Sequence, residues 1–206
     1  MLYYFIIWKF IEEGLQMFKK LTDNIFMLED PYKARILRCH CMYVEDEKRV
    51  LIDSSGGPEI VNAIGSRGVD ILLTSHFHED HTLNHDAFPG ADIWVHTDDA
   101  EGVRTKRGYM ELLGFMKFNQ EELGEELVET INMKDYPVEG EFVDGQIFDI
   151  GQNRIQVVHL PGHSAGHCGF YFPKQDILYS ADIDLTDLGP WYGGASSDVD
   201  DFIASI

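Results

Sequence analysis

The stretch TSHFHEDHT, residues 74–82, sets three histidines and an aspartate into the six positions from His76 to His81. It follows VDILLTS, an apolar run that reads as a buried strand. His76 and His78 are separated by one residue, so in an extended backbone both imidazoles share a face and can address one metal ion. Asp80 and His81 fall where the chain begins to turn and can face a second ion beside the first. Zinc accepts this mixture of imidazole and carboxylate. Closed structural sites favour cysteine, whereas a His/Asp set is the type that leaves a position open for water.

Two later segments fit the same site. HLPGHSAGH places His163 in a Pro/Gly turn after a strand, and ILYSADI places Asp182 at another strand end, where a carboxylate could bridge two cations. The intervening pattern is consistent with that arrangement. NIFMLED, RILRCHCMYVE and RVLIDSS read as strands, and PEIVNAIGSRG reads as a short helix closed by glycine. TLNHDAF is a helical turn and ADIWVH a strand. Residues from about 98 to 140 are helix-prone, an insert rich in Phe and Met. GEFVDGQIFDI, NRIQVVHL, CGFYFP and DILYSAD return to strand, the last two as a hairpin around KQD. Strand-rich halves separated by helices imply two packed sheets with helices outside.

The chain has 206 residues, 36 acidic and 16 basic, for a net charge of −20. That size suits one domain. The charge repels phosphate backbones and anionic membrane surfaces, which excludes nucleic acid and membrane as expected partners and leaves a small-molecule substrate. Arg104, Lys106 and Arg107 form the one compact basic cluster and read as a solvated face. Cys39, Cys41 and Cys168 give no disulfide framework, which points to a reducing, cytoplasmic setting. Cys39 and Cys41 alternate with His40, so a strand there turns the thiols one way and the imidazole the other. His85 and His96 read as surface or strand histidines, and His167 as a packing or hydrogen-bonding residue. The apolar run at the N-terminus ends at Trp8, far short of the ~20 residues of a spanning helix. Met17 is a plausible start, with residues 1–16 an extension and 17–206 the domain.

HFHEDH as H-x-H-x-D-H, His163 in PGHSAGH, Asp182 in SAD and Asp53 in LIDSS together resemble the metallo-β-lactamase-fold hydrolases over roughly residues 22–206. The resemblance implies an α+β fold, a four-layer αββα sandwich with the site at one edge. It implies that His76, His78 and His163 hold one metal, that Asp80 and His81 hold the other, and that Asp182 bridges. Asp53 would orient a ligand rather than bind metal. Two zinc ions are expected, with iron or manganese as alternatives. The implied activity is a metallo-hydrolase that uses a metal-bound hydroxide to cleave a small thioester or lactone, Asp80 orienting or accepting the proton. PGHSAGH looks like that of glyoxalase II-like members, whereas DHTLNHDAF departs from their usual glycine pair and lactonase-like members share the ligands. The alternatives are a non-catalytic or single-metal relative and an iron-dependent persulfide dioxygenase-like oxidoreductase.

Substrate contacts are expected from Tyr109 in the insert and from Trp191 and Tyr192 in DLGPWYGG. Met110, Phe115, Met116 and Phe118 form either a lid or a packed helix face. In SDVDDFIASI, Ser197 reads as an N-cap and Val199, Phe202, Ile203 and Ile206 as a core-facing stripe. A helix that stops there without a cap, and the lack of a final metal-ligand histidine, imply a chain lacking the fold's last helix and strand. A second copy of the chain is a further expected partner.

Overall fold

The computed structural model describes residues 18–34, 37–65, 67–183, 191 and 193–206. The first seventeen residues, including the proposed extension, and Tyr192 lie outside them. Two sheets form the body. The larger has seven strands in chain order: β1 (Phe18–Lys20), β2 (Ile25–Leu28), β3 (Cys41–Val44), β4 (Val50–Ile52), β5 (Ile71–Thr74), β6 (Asp92–His96) and β7 (Val138–Phe142). β1 to β4 pair antiparallel, and β4 to β7 pair parallel. The smaller, all antiparallel, runs β11 (Ile177–Tyr179), β10 (Cys168–Phe172), β9 (Arg154–His159), β8 (Ile147–Asp149).

Side-chain alternation explains why the central strands read as unbroken apolar runs. In β4, Val50 and Ile52 enter the core between the sheets, with Phe148, Ile155, Val157 and Phe170 opposite. Leu51 points the other way, into a second core beneath the helices, with Ile60, Ile64 and Val103. β5 repeats this, Ile71 and Leu73 on one side and Leu72 on the other. A strand covered on both faces has no polar face to show.

The helices follow the parallel strands: α1 (Gly57–Gly65), the short α2 (Glu79–Thr82), a 3₁₀ turn at His85–Ala87, then α3 (Ala100–Arg104), α4 (Lys106–Leu113) and α5 (Glu121–Thr130). The helical insert occupies Ala100–Thr130, and strand returns at Val138, slightly before the expected boundary. Thr105 caps α4 by accepting from the Gly108 amide, and Gly114 ends it at φ 98°, the left-handed region that glycine enters without a Cβ penalty. Among the described residues no helix is long and apolar enough to cross a membrane.

The last helix, α6 (Val199–Ser205), corrects two expectations. Its cap is Asp198, whose carboxylate accepts from the Asp200 and Asp201 amides. Ser197 instead donates to the His163 carbonyl at 2.8 Å. Of the apolar stripe only Phe202 is buried, whereas Val199, Ile203 and Ile206 are about half to two-thirds exposed. The helix rests on the Pro161–Gly162 turn, which reaches Phe202 and the Ser205 hydroxyl but no more of that face.

Candidate metal centre

The carboxyl ends of β4, β5 and β6 lie side by side, where ligands bind in open parallel sheets. β4 runs into Asp53, β5 into Ser75 and His76, and β6 into Asp99. The smaller sheet is tied to this edge by the Cys168 amide donating to the Ser75 carbonyl at 2.9 Å. This brings the β9–β10 turn, with His163, over the histidine loop.

His163 Nε2 lies 3.2 Å from His76 Nε2 and 2.9 Å from His78 Nδ1. The far nitrogens of two of these rings are already committed. His163 Nδ1 donates to the Trp191 carbonyl at 2.5 Å, and His76 Nδ1 meets the Ser75 hydroxyl at 3.0 Å. The Ser75 hydroxyl itself donates to Asp53, so the His76 proton sits on Nδ1. The Nε2 lone pairs of His76 and His163 are thereby turned on one point, and His78 Nδ1 lies beside it. Burial pushes His76, His78 and His163 below the ordinary imidazole range, which keeps those lone pairs free of protons at neutral pH. Such a convergence fits a cation and is repulsive for neutral rings alone.

His81 faces the carboxylates. Its Nδ1 donates to Asp53 Oδ2 at 2.8 Å, leaving Nε2 at 3.0 Å from Asp182 Oδ1 and 3.8 Å from Asp80 Oδ2. His81 Nε2 and His78 Nε2 are buried without a hydrogen-bond partner. Asp182 spans the two groups, its other oxygen 3.4 Å from His163 Nε2. Ligand atoms of His76, His78 and His163, and those of His76, Asp80 and His81, each lie within 4.8 Å of one another. Burial lowers the His81 pKa, but Asp182, Asp53 and Asp80 outweigh it and hold it well above its usual value. Burial raises Asp80 to about 6. It also opposes ionisation of Asp182, yet His81 and His163 hold that carboxyl well below its usual range. Three carboxylates around one imidazole, beside three converging imidazoles, suit divalent metal binding.

Asp53 holds this edge together. Fully buried and at φ 58°, it accepts from the Ser75 amide and hydroxyl, the Tyr179 hydroxyl and His81, each at 2.8 Å. Asp99 is an equally buried carboxylate that no motif in the sequence marks. Its Oδ2 accepts from the Phe77 amide at 3.1 Å and the Ser164 hydroxyl at 2.6 Å, and its Oδ1 from the Gly166 amide at 2.8 Å. It joins the two loops that carry the histidines. Ser164, aimed at Asp99, is thereby removed from nucleophilic roles.

The remaining histidines make other contacts. His85 is a correction: it is 1% exposed, not at the surface, because Ser54 and Thr74 hydroxyls take its two ring nitrogens at 2.8 and 2.9 Å. His167 spans the Leu160 carbonyl and the Asp182 amide. His96 and His159 stack at 4.2 Å and 13°, with His159 Nε2 donating to the Ala165 carbonyl. Ligand atoms of His96, Asp98 and His159 also lie within 4.8 Å of one another, but His96 Nδ1 accepts the Asp98 amide at 3.2 Å and the group stands apart from the converging histidines. Cys39 and Cys41 meet at 3.7 Å in the core, and His40 accepts the Asp30 amide. Arg104 and Arg107 are paired with Glu141 and Glu111.

A cavity of about 560 Å³ opens from His78, Asp80 and Asp182 and extends under α4 and α5. Tyr109 lines it from a buried position, with its hydroxyl donated to Glu79 at 2.6 Å. The Trp191 ring stands 5.3 Å from that of His78. Met110 is buried in the helix core and Phe115 and Met116 pack against it, whereas Phe118 is exposed at the cavity. The insert thus serves both as packed layer and as wall.

The profile of the family described as the metallo-beta-lactamase superfamily matches residues 34–205. The chain belongs to that superfamily. Among solved structures it is similar to a metallo-beta-lactamase family protein, TTHA1429, from Thermus thermophilus. That likeness has TM-score 0.70 and 22% identity, over 90% of this chain and 69% of the other. FEZ-1 metallo-beta-lactamase from Legionella gormanii follows the same path with TM-score 0.65 and 16% identity, over 90% and 72% of the two chains. At such identity these likenesses speak for the fold. Among curated proteins, a hydroxyacylglutathione hydrolase of Chelativorans sp. (strain BNC1) is 41% identical over 39 residues, 19% of this chain and 15% of that one. The lactamase-like protein aptB of Emericella nidulans is 25% identical over 141 residues, 65% of this chain and 36% of that one. The matches thus span well under two thirds of these relatives' lengths.

Proposed function

We propose that the chain is a metal-dependent hydrolase of small ester-like substrates, thioester or lactone. The observation that carries this reading is the convergence of His76, His78 and His163 on one point while Asp182 reaches from it to His81. Superfamily membership and the short match to hydroxyacylglutathione hydrolases support it. His76, His78 and His163 would hold one cation, Asp80 and His81 the other, with Asp182 shared. Bound zinc, or iron or manganese in its place, supplies an acidified water and a Lewis acid for the carbonyl.

The protein's own groups do the rest. The Trp191 carbonyl and Ser75 fix the tautomers of His163 and His76, and Asp53 orients His81. Asp80, shared by the cluster and the cavity, would orient the attacking water and take its proton. Trp191 and Tyr109 flank the substrate, and Tyr192 is proposed beside them from its position in the sequence. A net charge of −20 argues for a small molecule rather than a polyanion. Three free buried cysteines suit a reducing cytoplasm.

The test is elemental analysis of the full chain after zinc, iron or manganese loading, together with thioester and lactone hydrolysis. Bound metal lost in His163→Ala, and turnover abolished in His78→Ala, are the expected results. Undiminished turnover in His78→Ala would rule the reading out.

A further inference from the structure

The metal centre stands where two cavities meet, since Asp80 and Asp182 line both. On one flank lies a groove whose walls include the basic side chains of Lys33, Arg38 and His40 beside Met27 and Ile183. Arg38 there is already engaged by Asp30 at 2.6 Å and Glu59 at 2.9 Å. On the other flank, the cavity beneath α4 and α5 takes its walls from Leu113, Phe115, Phe118, Leu127 and Trp191. Among the described residues that line it there is no lysine or arginine. Its charged groups are carboxyls, Glu79, Asp80 and Asp182, all at the end nearest the centre.

An anionic group lying among Leu113, Phe115, Phe118, Leu127 and Trp191, away from the metal end, would lose much of its water, and no lysine or arginine among the described lining residues replaces it. An apolar group would meet the reverse conditions. Phe118 and Trp191 line the cavity yet remain 58% and 54% exposed. They are large aromatic faces that lose contact with water once an apolar ligand lies between them and the wall. The volume, about 560 Å³, is in the ordinary range for small-molecule sites.

We infer that this cavity is the subsite for an uncharged alkyl or aryl substituent of the substrate, and that it rejects a carboxylate-bearing one. The inference rests on the hydrolase reading and names the substrate class: esters, thioesters or lactones with an apolar acyl part. The polar half of the substrate lies toward the Lys33 groove. A glutathione moiety, with its carboxylates, is admissible only on that side.

The experiment uses the zinc-loaded full chain and non-hydrolysable thioethers of N-acetylcysteamine bearing S-butyl, S-octyl or S-(7-carboxyheptyl) groups. Calorimetry reads the Kd. Affinity rises about two- to fourfold per added methylene from butyl to octyl. The carboxylated chain binds at least about tenfold more weakly than octyl. Phe118→Asp, at an exposed position where folding is readily checked by thermal melting, weakens octyl binding by about tenfold and flattens the dependence on chain length. Equal Kd for butyl and octyl, a carboxylated chain as tight as octyl, or an unaltered Kd in Phe118→Asp overturns the subsite. Hydrolysis of the octanoyl thioester and of an alkyl-substituted lactone is measured in parallel. Chain-dependent binding without turnover of either sinks the hydrolase reading and leaves the subsite standing.

Discussion

Ser164 donates its hydroxyl proton to Asp99 across 2.6 Å, joining the end of β6 to the turn that carries His163. The same carboxylate accepts from the Phe77 amide, between His76 and His78. One buried group therefore sets the distance between two loops whose histidines must meet. Burial raises the Asp99 pKa to about 6, with its three donors pulling the other way, so near pH 7 it is largely a carboxylate and its bonds are charge-assisted. Asp99→Ala strands two buried amides and should cost about 3–5 kcal/mol. Ser164→Ala, which leaves both amides satisfied, should cost about 1 kcal/mol. Urea denaturation of both variants checks the ranking, and equal costs would remove the latch.

Asp53 acts on the metal centre through His81. Its Oδ2 accepts the His81 Nδ1 proton, which leaves Nε2 as the ring atom that would meet a cation beside Asp80 and Asp182. Asp53→Asn keeps the shape and removes the charge. Metal affinity should fall about 10–100-fold, measured by competition with a chromogenic chelator. Tyr179→Phe removes only one of the donors to Asp53 and should change affinity far less.

The ligands are legible in the sequence because each depends on local geometry: alternation after β5, a Pro/Gly turn after β9, a strand end after β11. The unbroken apolar runs of β4 and β5 announce strands covered on both faces. Asp99 is not legible. It stands 22 residues from Phe77 and 65 from Ser164, in a polar turn that looks like any surface loop, and only tertiary folding brings its donors to it. The burial of His85 is hidden for the same reason, since Ser54 and Thr74 reach it from two strand ends. On α6 the apolar period is real, but period alone does not say which part of a stripe finds a neighbour.

His85 also gives a pH dependence with a definite sign. Burial lowers its pKa to about 3, against about 6.5 in an unfolded chain. The neutral ring is the native one, so its stabilisation is complete above about pH 6.5 and is lost as pH falls toward 3. Between about pH 7.5 and 5.5 the loss should be about 1 kcal/mol. His85→Gln removes the titrating group, so its stability should decline less over that interval than the wild type's. Parallel slopes in urea midpoints would show that the ring is not held neutral.

Gly162 ties α6 to the centre. At φ 125° it sits in a region unfavourable to other residues, and a Cβ there would meet the Phe202 backbone nitrogen at 2.3 Å. Its carbonyl accepts from the Asp198 amide, and its own amide donates to the carbonyl of Ser164, whose hydroxyl belongs to the Asp99 latch. Gly162→Ala must therefore strain the turn or push α6 away, loosening Ser197 from the His163 carbonyl. The strain should cost about 1–3 kcal/mol, with a drop in metal affinity as His163 loses its fixed position. Ser197→Ala breaks the second tether alone and should affect affinity less. Denaturation and chelator competition on both variants separate these contributions, and unchanged affinity in Gly162→Ala would show that the His163 turn holds its geometry without α6.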